Sequence, residues 1–351
     1  MKILVFGDVH WSSYSSIIRS RGTKYSTRLE NLISSLNWVT ELAYTHSCNG
    51  IVCLGDFFDK AELNSEEITA LEEWKLVMDI PYYFLVGNHE AGRSSLEMSS
   101  AHVMSLTSNC YVISEPSMIT DYWGNEICFL PYIFENARRP LAEYFPKSSK
   151  KRVIFSHNDL SGVQMGKFVS KDGFSLDEIA DNCTLFVNGH LHNASCPSAN
   201  VVNLGNLSGQ NFSEDAMYFN HCAMILDTET FKVDYYENPY AFNFYKFDFS
   251  NCNDDKFIQM TLDKCKSNSV VTIKVNTENK FTVEDLLSCT PNIIEARIIV
   301  DMSVSKEVEY EKDSMSFSVD HIKQFDSFIR EQLGSSKEVL EELRVVTGGI
   351  V

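Results

Sequence analysis

The chain has 351 residues, of which 44% are hydrophobic and 22% are charged, and these proportions exclude a disordered or collagen-like protein. Its 48 acidic residues exceed its 30 basic residues and give a net charge of −18, which argues against nucleic-acid binding through a basic surface. Nucleic acid remains open as a substrate, because bound metal ions or a basic partner can supply positive charge locally.

Short apolar runs that end in Gly or in polar clusters alternate with helical patterns through the first half, which is typical of an α/β protein. A helix should begin at Thr27, where Thr27 and Glu30 form a capping box, and apolar stripes predict further helices from Ser65 and Ser94. The stripe from Ser65 contains Ile68, Leu71, Trp74 and Met78. Strands are predicted at 3–6, 51–54, 82–86, 110–113, 127–130, 153–155, 185–187, 201–204 and 223–226.

The composition changes near residue 240, after Glu237-Asn238-Pro239-Tyr240, and this change places a domain boundary there. Beyond it, strands predicted at 270–275 and 293–300 flank a short helix that Thr282 and Asp285 cap. Two amphipathic helical patterns close the chain, and they could dock either on this chain or on a partner. The predicted domains are therefore 1–240, 241–312 and a helical segment at 313–351.

The ten cysteines are scattered and never form a C-x-x-C pair, so neither a zinc ribbon nor a thioredoxin motif is expected. Unpaired cysteines are typical of a reducing compartment. The sequence shows no signal-peptide pattern at its start, and no apolar stretch approaches the roughly 18 residues of a membrane span. We therefore expect a soluble cytoplasmic protein with no membrane contact.

Five segments place metal-ligand residues directly after strand-like runs. They are Gly7-Asp8-Val9-His10, Gly55-Asp56-Phe57-Phe58-Asp59, Gly87-Asn88-His89-Glu90, Ser156-His157-Asn158 and Gly189-His190-Leu191-His192. Loops at the carboxyl ends of strands form the ligand crevice of an open α/β sheet, so segments distant in sequence can meet there. Asp, Asn and His together offer hard oxygen and borderline imidazole donors, a mixture that suits Mn, Fe, Zn or Co and does not resemble a soft thiolate site. One such segment alone is more often structural, but five together favour a metal centre.

The ordered set resembles the calcineurin-like metallophosphoesterase superfamily, whose motifs run D-x-H, G-D-x-x-D, G-N-H-[DE], H and G-H-x-H. This resemblance spans residues 8–192 and implies a four-layer αββα sandwich with a dinuclear metal site at one edge. It implies one metal bound by Asp8, His10 and His192, a second bound by Asn88, His157 and His190, and a bridge between them through Asp56. Two divalent cations about 3.5 to 4 Å apart can hold a phosphate ester and activate water for attack on it.

Three further residues of these motifs receive roles without binding metal. His89 resembles the family histidine beside the metals, which implies that it donates a proton to the leaving alkoxide or stabilises the charge of the transition state. Asp59 and Glu90 are expected to orient the metal-bound histidines. Some relatives carry His at the position of Asp59.

Residues outside the metal set resemble the SbcD-type nuclease, the nuclease subunit of a double-strand-break processing complex found in cells and tailed phages. The likeness rests on the second and third motifs and on Asn203-Leu204-Gly205-Asn206-Leu207 followed by Phe212-Ser213-Glu214. It implies a Mn-dependent DNA exonuclease and endonuclease for repair, recombination or degradation, with Mg, Fe or Zn as other candidate ions. It further implies a capping domain at 241–312, an SbcC-type ABC ATPase partner held by the C-terminal helices, and a homodimer within a heterotetramer. Trp11-Ser12-Ser13-Tyr14 departs from this family, because the Leu-Gly often found there is absent.

Two alternatives stay open at this stage. The same chemistry would serve a phosphodiesterase or phosphatase that acts on a nucleotide or a phosphoprotein. The chain could also be a non-catalytic module that keeps a metal fold as a scaffold for a partner. The helices predicted from Ser65 and Ser94 could form a dimer contact or pack internally.

Overall fold

A computed structural model describes residues 1–14, 23–74, 80–92, 95–165, 168–276 and 282–301. These residues fall in one unit, Met1–Met302, whereas the unit Ser303–Val351 lies outside the described residues together with the predicted C-terminal helices. The helices are α1 (Thr27–Thr45), α2 (Ser65–Trp74), α3 (Leu141–Tyr144), α4 (Leu176–Asn182), α5 (Asp255–Leu262) and α6 (Val283–Cys289). Two 3-10 helices cover Ser100–Leu106 and Glu135–Ala137.

The described residues form twenty-one strands besides these helices. The first nine are β1 (Lys2–Phe6), β2 (Gly50–Cys53), β3 (Tyr82–Leu85), β4 (Ala91–Gly92), β5 (Ser95–Ser99), β6 (Cys110–Ile113), β7 (Ser117–Thr120), β8 (Glu126–Leu130) and β9 (Arg152–Ser156). The next six are β10 (Leu160–Ser161), β11 (Gln164–Met165), β12 (Phe168–Val169), β13 (Phe174–Ser175), β14 (Leu185–Asn188) and β15 (Ser195–Ser198). The last six are β16 (Val201–Asn203), β17 (Cys222–Asp227), β18 (Val233–Glu237), β19 (Asn243–Phe249), β20 (Ser269–Asn276) and β21 (Ile293–Asp301).

Two six-stranded mixed sheets form the centre of the molecule. The first has the order β18-β17-β1-β2-β3-β6, in which β1, β2, β3 and β6 run parallel and β17 pairs antiparallel with β1. The second has the order β15-β16-β14-β9-β8-β7, with β16, β14, β9 and β8 parallel. Each sheet therefore has a parallel centre, whose carboxyl ends lie at one edge.

The buried apolar residues divide into layers that follow the strand alternation. Val5 and Val52 of the first sheet pack against Phe155 of the second, which fills the space between the sheets. The opposite face of the first sheet is covered by α1 and α2, and that of the second sheet by α3 and α4. This arrangement confirms the predicted four-layer αββα sandwich.

The helix starts differ in detail from the sequence prediction. The N-cap of α1 is Ser26, whose hydroxyl accepts from the amide of Leu29 at 3.3 Å, so the cap lies one residue before the predicted Thr27. Glu30 instead accepts from the amide of Lys24 at 2.8 Å in the preceding turn. Polar groups before a helix compete for the same free amides, and spacing alone does not decide which residue wins.

Two other helix predictions need correction. In α2, Leu71 and Trp74 are buried as predicted. Glu67 and Ala70 are buried with them, whereas Ile68 is 44% exposed, and Met78 lies outside the described residues. The predicted helix from Ser94 is wrong, because β5 is extended and only a 3-10 helix follows it. Of its apolar residues, Ala101 and Met104 in the 3-10 helix are buried, whereas Met98 and Leu106 are exposed.

The segment after residue 240 forms a third, smaller sheet. Its strands β19, β20 and β21 are parallel and in that order, and α5 and α6 connect them across one face. Thr282 and Asp285 form the predicted capping box at the start of α6. Ile258 and Leu286 bury the two helices against Ile273 of the central strand.

Two further observations concern the chain as a whole. Within the described residues no disulfide joins any of the ten cysteines, and Cys53 is buried among apolar side chains, as its sequence context predicts. Within the described ranges, no helix has both the length and the apolar character that crossing a membrane requires.

Candidate metal centre

Five loops bring the motif residues to one edge of the sandwich. Each loop follows the carboxyl end of a parallel strand: β1, β2 and β3 in the first sheet, and β9 and β14 in the second. A hydrogen bond from His157 Nδ1 to the carbonyl of Leu54, at 3.0 Å, joins the loops of the two sheets. The edge prediction from strand endings is thereby confirmed.

One set of donor atoms surrounds His157. Because the carbonyl of Leu54 can only accept, Nδ1 of His157 carries a proton, and Nε2 points to Asn88 Oδ1 at 3.2 Å and Asp56 Oδ2 at 3.1 Å. Burial lowers the pKa of His157, but the charge and the hydrogen bond of the Asp56 carboxylate, together with the charges of Asp8 and Glu90, outweigh burial and raise it to about 9. The site therefore attracts positive charge at Nε2, which a proton or a cation can supply.

His190 completes this set with the help of a second carboxylate. Its Nε2 lies 3.1 Å from Asp159 Oδ1 and donates to it, so Nδ1 presents a lone pair 3.0 Å from Asn88 Oδ1. Ring nitrogens of two histidines and two side-chain oxygens thus face one another, and the donor atoms of Asp56, His157 and His190 all lie within 4.8 Å. Such a convergence of acceptors fits a divalent cation.

A second set of donor atoms contains Asp8, His10 and His192, again all within 4.8 Å of one another. His10 donates from Nδ1 to Asp59 Oδ1 at 3.1 Å, which leaves Nε2 as an acceptor. Nε2 is buried, and among the described residues it has no hydrogen-bond partner. A buried, unpartnered lone pair beside a carboxylate is what a metal ligand looks like before its ion is added.

The other two members of this set have environments that suit ligation. Burial, followed by the nearby His10, lowers the pKa of His192 to about 3, so its imidazole is neutral. Burial also raises the pKa of Asp8, whose two oxygens accept from the amide of His190 at 3.0 and 3.1 Å. This bond links the first loop of one sheet to the last loop of the other.

Asp56 stands between the two sets. Its Oδ2 lies 3.1 Å from His157 Nε2 and 3.9 Å from His10 Nε2, while Oδ1 accepts from the amide of His89 at 3.0 Å. Burial opposes ionisation of Asp56, but His157 and then His10 outweigh it and hold its pKa well below the usual range. An ionised carboxylate at this point can serve two cations at once.

The backbone of these loops is strained at the donor residues themselves. Asp8, His10, Asp56 and His190 have φ values of 44°, 48°, 45° and 70°, in the left-handed region that side chains seldom adopt. Such strain persists only where surrounding contacts fix the conformation, and it occurs mainly at functional sites.

The glycines before the ligands make room for ligands of neighbouring loops. A Cβ on Gly55 would lie 2.5 Å from His157 Nδ1, and a Cβ on Gly87 would overlap Asp56 Oδ1. Gly55 also has a φ of 116°, a conformation that residues with a side chain rarely adopt, so both the space and the backbone require glycine there. At Gly87 the close approach of Asp56 is what requires glycine.

His89 lies beside the donor sets with its side chain 42% exposed. Its Nδ1 lies 3.0 Å from the carbonyl oxygen of Asp59, which fixes a proton on Nδ1 and leaves Nε2 for a ligand. Its ring contacts that of His10 edge-on, with centroids 4.7 Å apart. The imidazole of His89 thus lies next to the metal centre with Nε2 available to a ligand.

The two residues predicted to orient histidines have different partners. Asp59 accepts from His10, as described above, whereas the hydrogen bonds of Glu90 go to backbone amides. Its Oε2 accepts from Gly87 N at 2.6 Å and its Oε1 from Phe58 N at 3.1 Å, so Glu90 joins the second and third loops. Burial, and then Asp56, raise the pKa of Glu90 to about 8.

Asp159 is a residue of the site that the sequence did not predict. This residue follows His157 by two positions, and its contact with His190 makes it the counterpart of Asp59 at the other donor set. A carboxylate in a ligand-bearing loop was the available signal. The ring of Tyr132, which also was not singled out, lies 5.8 Å from that of His190.

Comparison with known proteins agrees with this geometry. Residues 1–194 match the calcineurin-like phosphoesterase family. The chain belongs to this family. No curated protein matches the chain. The two donor sets fit the dinuclear metal site that calcineurin-like phosphoesterases use, and the family assignment makes the chain a metal-dependent hydrolase of phosphate esters.

Several solved structures are similar to this calcineurin-like phosphoesterase at low identity. A dimetal phosphatase from Danio rerio is 11% identical with a TM-score of 0.37, and the match covers 64% of this chain and 91% of that one. The nuclease MPE from Pseudomonas putida is 16% identical with a TM-score of 0.25, covering 49% and 72%. A hypothetical protein from Pyrococcus horikoshii is 12% identical with a TM-score of 0.36, covering 74% and 92%.

Proposed function

We propose that this phosphoesterase is a Mn-dependent DNA nuclease, active as an exonuclease and an endonuclease, that hydrolyses phosphodiester bonds at the dinuclear site. The observation that carries the proposal is the pair of donor sets with the Asp56 carboxylate between them and the exposed His89 beside them. The mixture of imidazole, carboxylate and amide donors suits Mn, and Mg, Fe or Zn would also fit.

The roles of the residues follow from their hydrogen bonds. Asp8, His10 and His192 would hold one cation, Asn88, His157 and His190 the other, and Asp56 would bridge them. Two bound cations would polarise the phosphate ester and generate the nucleophile from water. Asp59 and Asp159 hold His10 and His190 in the tautomers that present a lone pair to the site.

His89 is the proposed catalytic acid. With Nδ1 donating to the carbonyl of Asp59, a protonated His89 presents its Nε2–H to the leaving oxygen. Its partial exposure makes the ring accessible to a substrate bound at the donor sets. Transfer of that proton would neutralise the alkoxide as the bond to phosphorus breaks.

The wider biological proposals rest on the sequence resemblance to the SbcD-type nuclease. They comprise an SbcC-type ABC ATPase partner, a homodimer within a heterotetramer, and a role in DNA repair, recombination or degradation. A cytoplasmic location is part of the same proposal, and a set of ten cysteines that forms no disulfide within the described residues supports it. The segment proposed to bind the ATPase, 313–351, lies outside the described residues.

The central test is cleavage of duplex DNA with Mn present, by the chain with and without its ATPase partner. We expect His89→Gln to lower kcat about 10²- to 10⁴-fold while two Mn ions per chain still bind. Asn88→Ala should lower both metal binding and cleavage. Failure of the chain and its partner together to cut DNA would contradict the nuclease proposal.

The net charge of −18 favours a second candidate, a phosphodiesterase or phosphatase for a nucleotide or a phosphoprotein, because an acidic chain repels a polyanion. High activity on a small phosphate ester, with none on DNA, would support that candidate. Fewer than two ions per chain at saturating Mn would instead support a non-catalytic scaffold.

A further inference from the structure

A small cavity opens next to the first donor set. Its volume is about 180 Å³, and its lining includes His10, Ser12, Tyr14, Arg28, Asp59 and Gln210. His10 belongs both to this cavity and to the metal centre, so the two spaces adjoin. The cavity is smaller than the roughly 300 Å³ or more of a site for a drug-sized ligand, so it suits one compact group.

Arg28 supplies the positive charge of this cavity. The residue is 2% exposed, and its guanidinium donates to the carbonyls of Gly209 at 2.7 Å and Val9 at 3.2 Å. A guanidinium has five N–H donors, and these two bonds leave others for a ligand. Burial lowers the pKa of Arg28 to about 10, which keeps the side chain charged at neutral pH.

Two other groups of the cavity indicate what kind of ligand it could hold, one a hydrogen-bond donor and the other an aromatic ring. The amide Nε2 of Gln210 is buried and, in the described part of the chain, has no hydrogen-bond partner. A buried donor without a partner is costly, and a bound acceptor would satisfy it. The side chain of Tyr14, at the edge of the cavity, is 79% exposed and offers a ring on which a base can stack.

Asp59 works against an anion here. Its carboxylate also lines the cavity, and its side chain is 40% exposed, although one oxygen accepts from His10. Arg28 and a neighbouring cation must outweigh this negative charge. A free anion should therefore bind weakly, and an anion tethered to a group already held at the metals should bind better.

We propose that this cavity binds the phosphate next to the scissile phosphate in a polynucleotide, and that Arg28 and Gln210 are its donors. The proposal rests on the nuclease function and deepens it. A group in the cavity must be joined by a short tether to the phosphate at the metals, and in a polynucleotide the next charged group along the chain is another phosphate. The cavity would therefore favour a polymer over a small phosphate ester.

The test uses short oligonucleotides that each carry one neutral methylphosphonate linkage, placed on one side or the other of the scissile bond. We expect kcat/KM to fall about 10- to 100-fold for the linkage that occupies the cavity, the effect of losing charged hydrogen bonds. The linkage on the opposite side should change kcat/KM less than about 3-fold. This comparison needs no variant protein.

Two variants identify the donors. In Arg28→Met and in Gln210→Leu the methylphosphonate penalty should shrink, because the natural phosphate has lost its partner. The control is Arg139→Met, which removes an exposed arginine outside the cavity and should leave the penalty unchanged. Thermal melting selects variants that are folded. If Arg28→Met fails to fold, Gln210→Leu and the comparison of substrates still show whether the cavity binds the neighbouring phosphate.

The outcomes separate the two proposals. Equal cleavage of the natural and both neutral oligonucleotides would overturn the inference and leave the nuclease function standing. The inference would also be overturned if the penalty persisted in both folded variants. Hydrolysis of bis(p-nitrophenyl) phosphate without cleavage of any oligonucleotide would refute the nuclease function, and the inference with it.

Discussion

Asp59 and Asp159 form a matched pair, one carboxylate at each donor set. Each accepts from a histidine at 3.1 Å, Asp59 from Nδ1 of His10 and Asp159 from Nε2 of His190. Replacing either with Asn removes the charge of the acceptor and frees the imidazole to change tautomer or rotate. We therefore expect Asp59→Asn to weaken the binding of one cation and Asp159→Asn to weaken the binding of the other.

The size of each effect follows from exposure. Loss of a group that orients a ligand lowers metal affinity about 10- to 100-fold, or about 1.4 to 2.7 kcal/mol. Asp59 is 40% exposed and Asp159 is 27% exposed, so water can replace the first carboxylate more easily. Asp59→Asn should thus lie near the 10-fold end, and Asp159→Asn should cost more.

Calorimetric titration of the metal-free protein with Mn measures both steps. Because the two carboxylates serve different cations, their effects should add in the double variant. Asp172→Asn, which removes an exposed carboxylate of the same chain, controls for the loss of one negative charge. The assignment of one carboxylate to each cation would be refuted if either single variant lowered the Mn affinity of both binding steps equally. It would also be refuted if neither variant lowered the affinity of any step.

Three further predictions concern packing and charge. Gly87→Ala should abolish Mn-dependent activity because its methyl would overlap Asp56, whereas Gly50→Ala, whose nearest neighbour would be at 3.5 Å, should stay active. Arg152→Met should lower the free energy of unfolding by about 3 to 5 kcal/mol, since it leaves the buried Glu126 carboxylate without its ion-pair partner. Arg138→Met, which removes an arginine from an exposed ion pair, should lower it by under about 1 kcal/mol. Similar losses for the two variants in urea unfolding would contradict this prediction. Burial raises the pKa of Glu214 from 4.5 to about 7, so its contribution to stability is complete below about pH 4.5 and is lost as pH rises through 7. Relative to the Glu214→Gln variant, the free energy of unfolding of the wild-type protein should fall by up to about 3 kcal/mol between pH 5 and pH 8. The same difference in free energy between the two proteins at both pH values would contradict this prediction.

The strands and the meeting of the five motif loops could be predicted from the sequence, because both depend on local patterns. Apolar runs of four or five residues fix buried strands, and parallel strands bring the residues that follow them to one edge. The predicted strands from β1 to β3 agree with the structure to within one residue at each end. These features need no knowledge of distant contacts.

Other features depend on contacts between distant segments and could not be predicted. Whether Glu90 binds a histidine or backbone amides depends on how close the second and third loops approach each other. The roles of Asp159 and Arg28 depend on partners 31 and 181 residues away in sequence. The failed prediction of a helix from Ser94 shows that apolar spacing in a short segment does not distinguish an α-helix from a short strand followed by a 3-10 helix.

The net charge of −18 and a polyanionic substrate can be reconciled if recognition acts at short range. Two divalent cations would offset four of these charges, and most of the remaining ones act over a distance that salt screens, about 8 Å at physiological ionic strength. Under the nuclease proposal, the contacts that grip the substrate are then few: the metal centre and the cavity of Arg28.

Such a design predicts an unusual dependence on salt. A protein that releases counterions through six to ten phosphate contacts loses affinity steeply as salt rises, with a slope of about −0.9 for each contact. With one or two contacts and long-range repulsion that salt relieves, the slope for this chain alone should be no steeper than about −2. DNA binding measured from 50 to 200 mM salt, with Ca in place of Mn to prevent cleavage, gives the slope. A value near −6 would show that a basic surface binds the DNA, and the short-range explanation would fail.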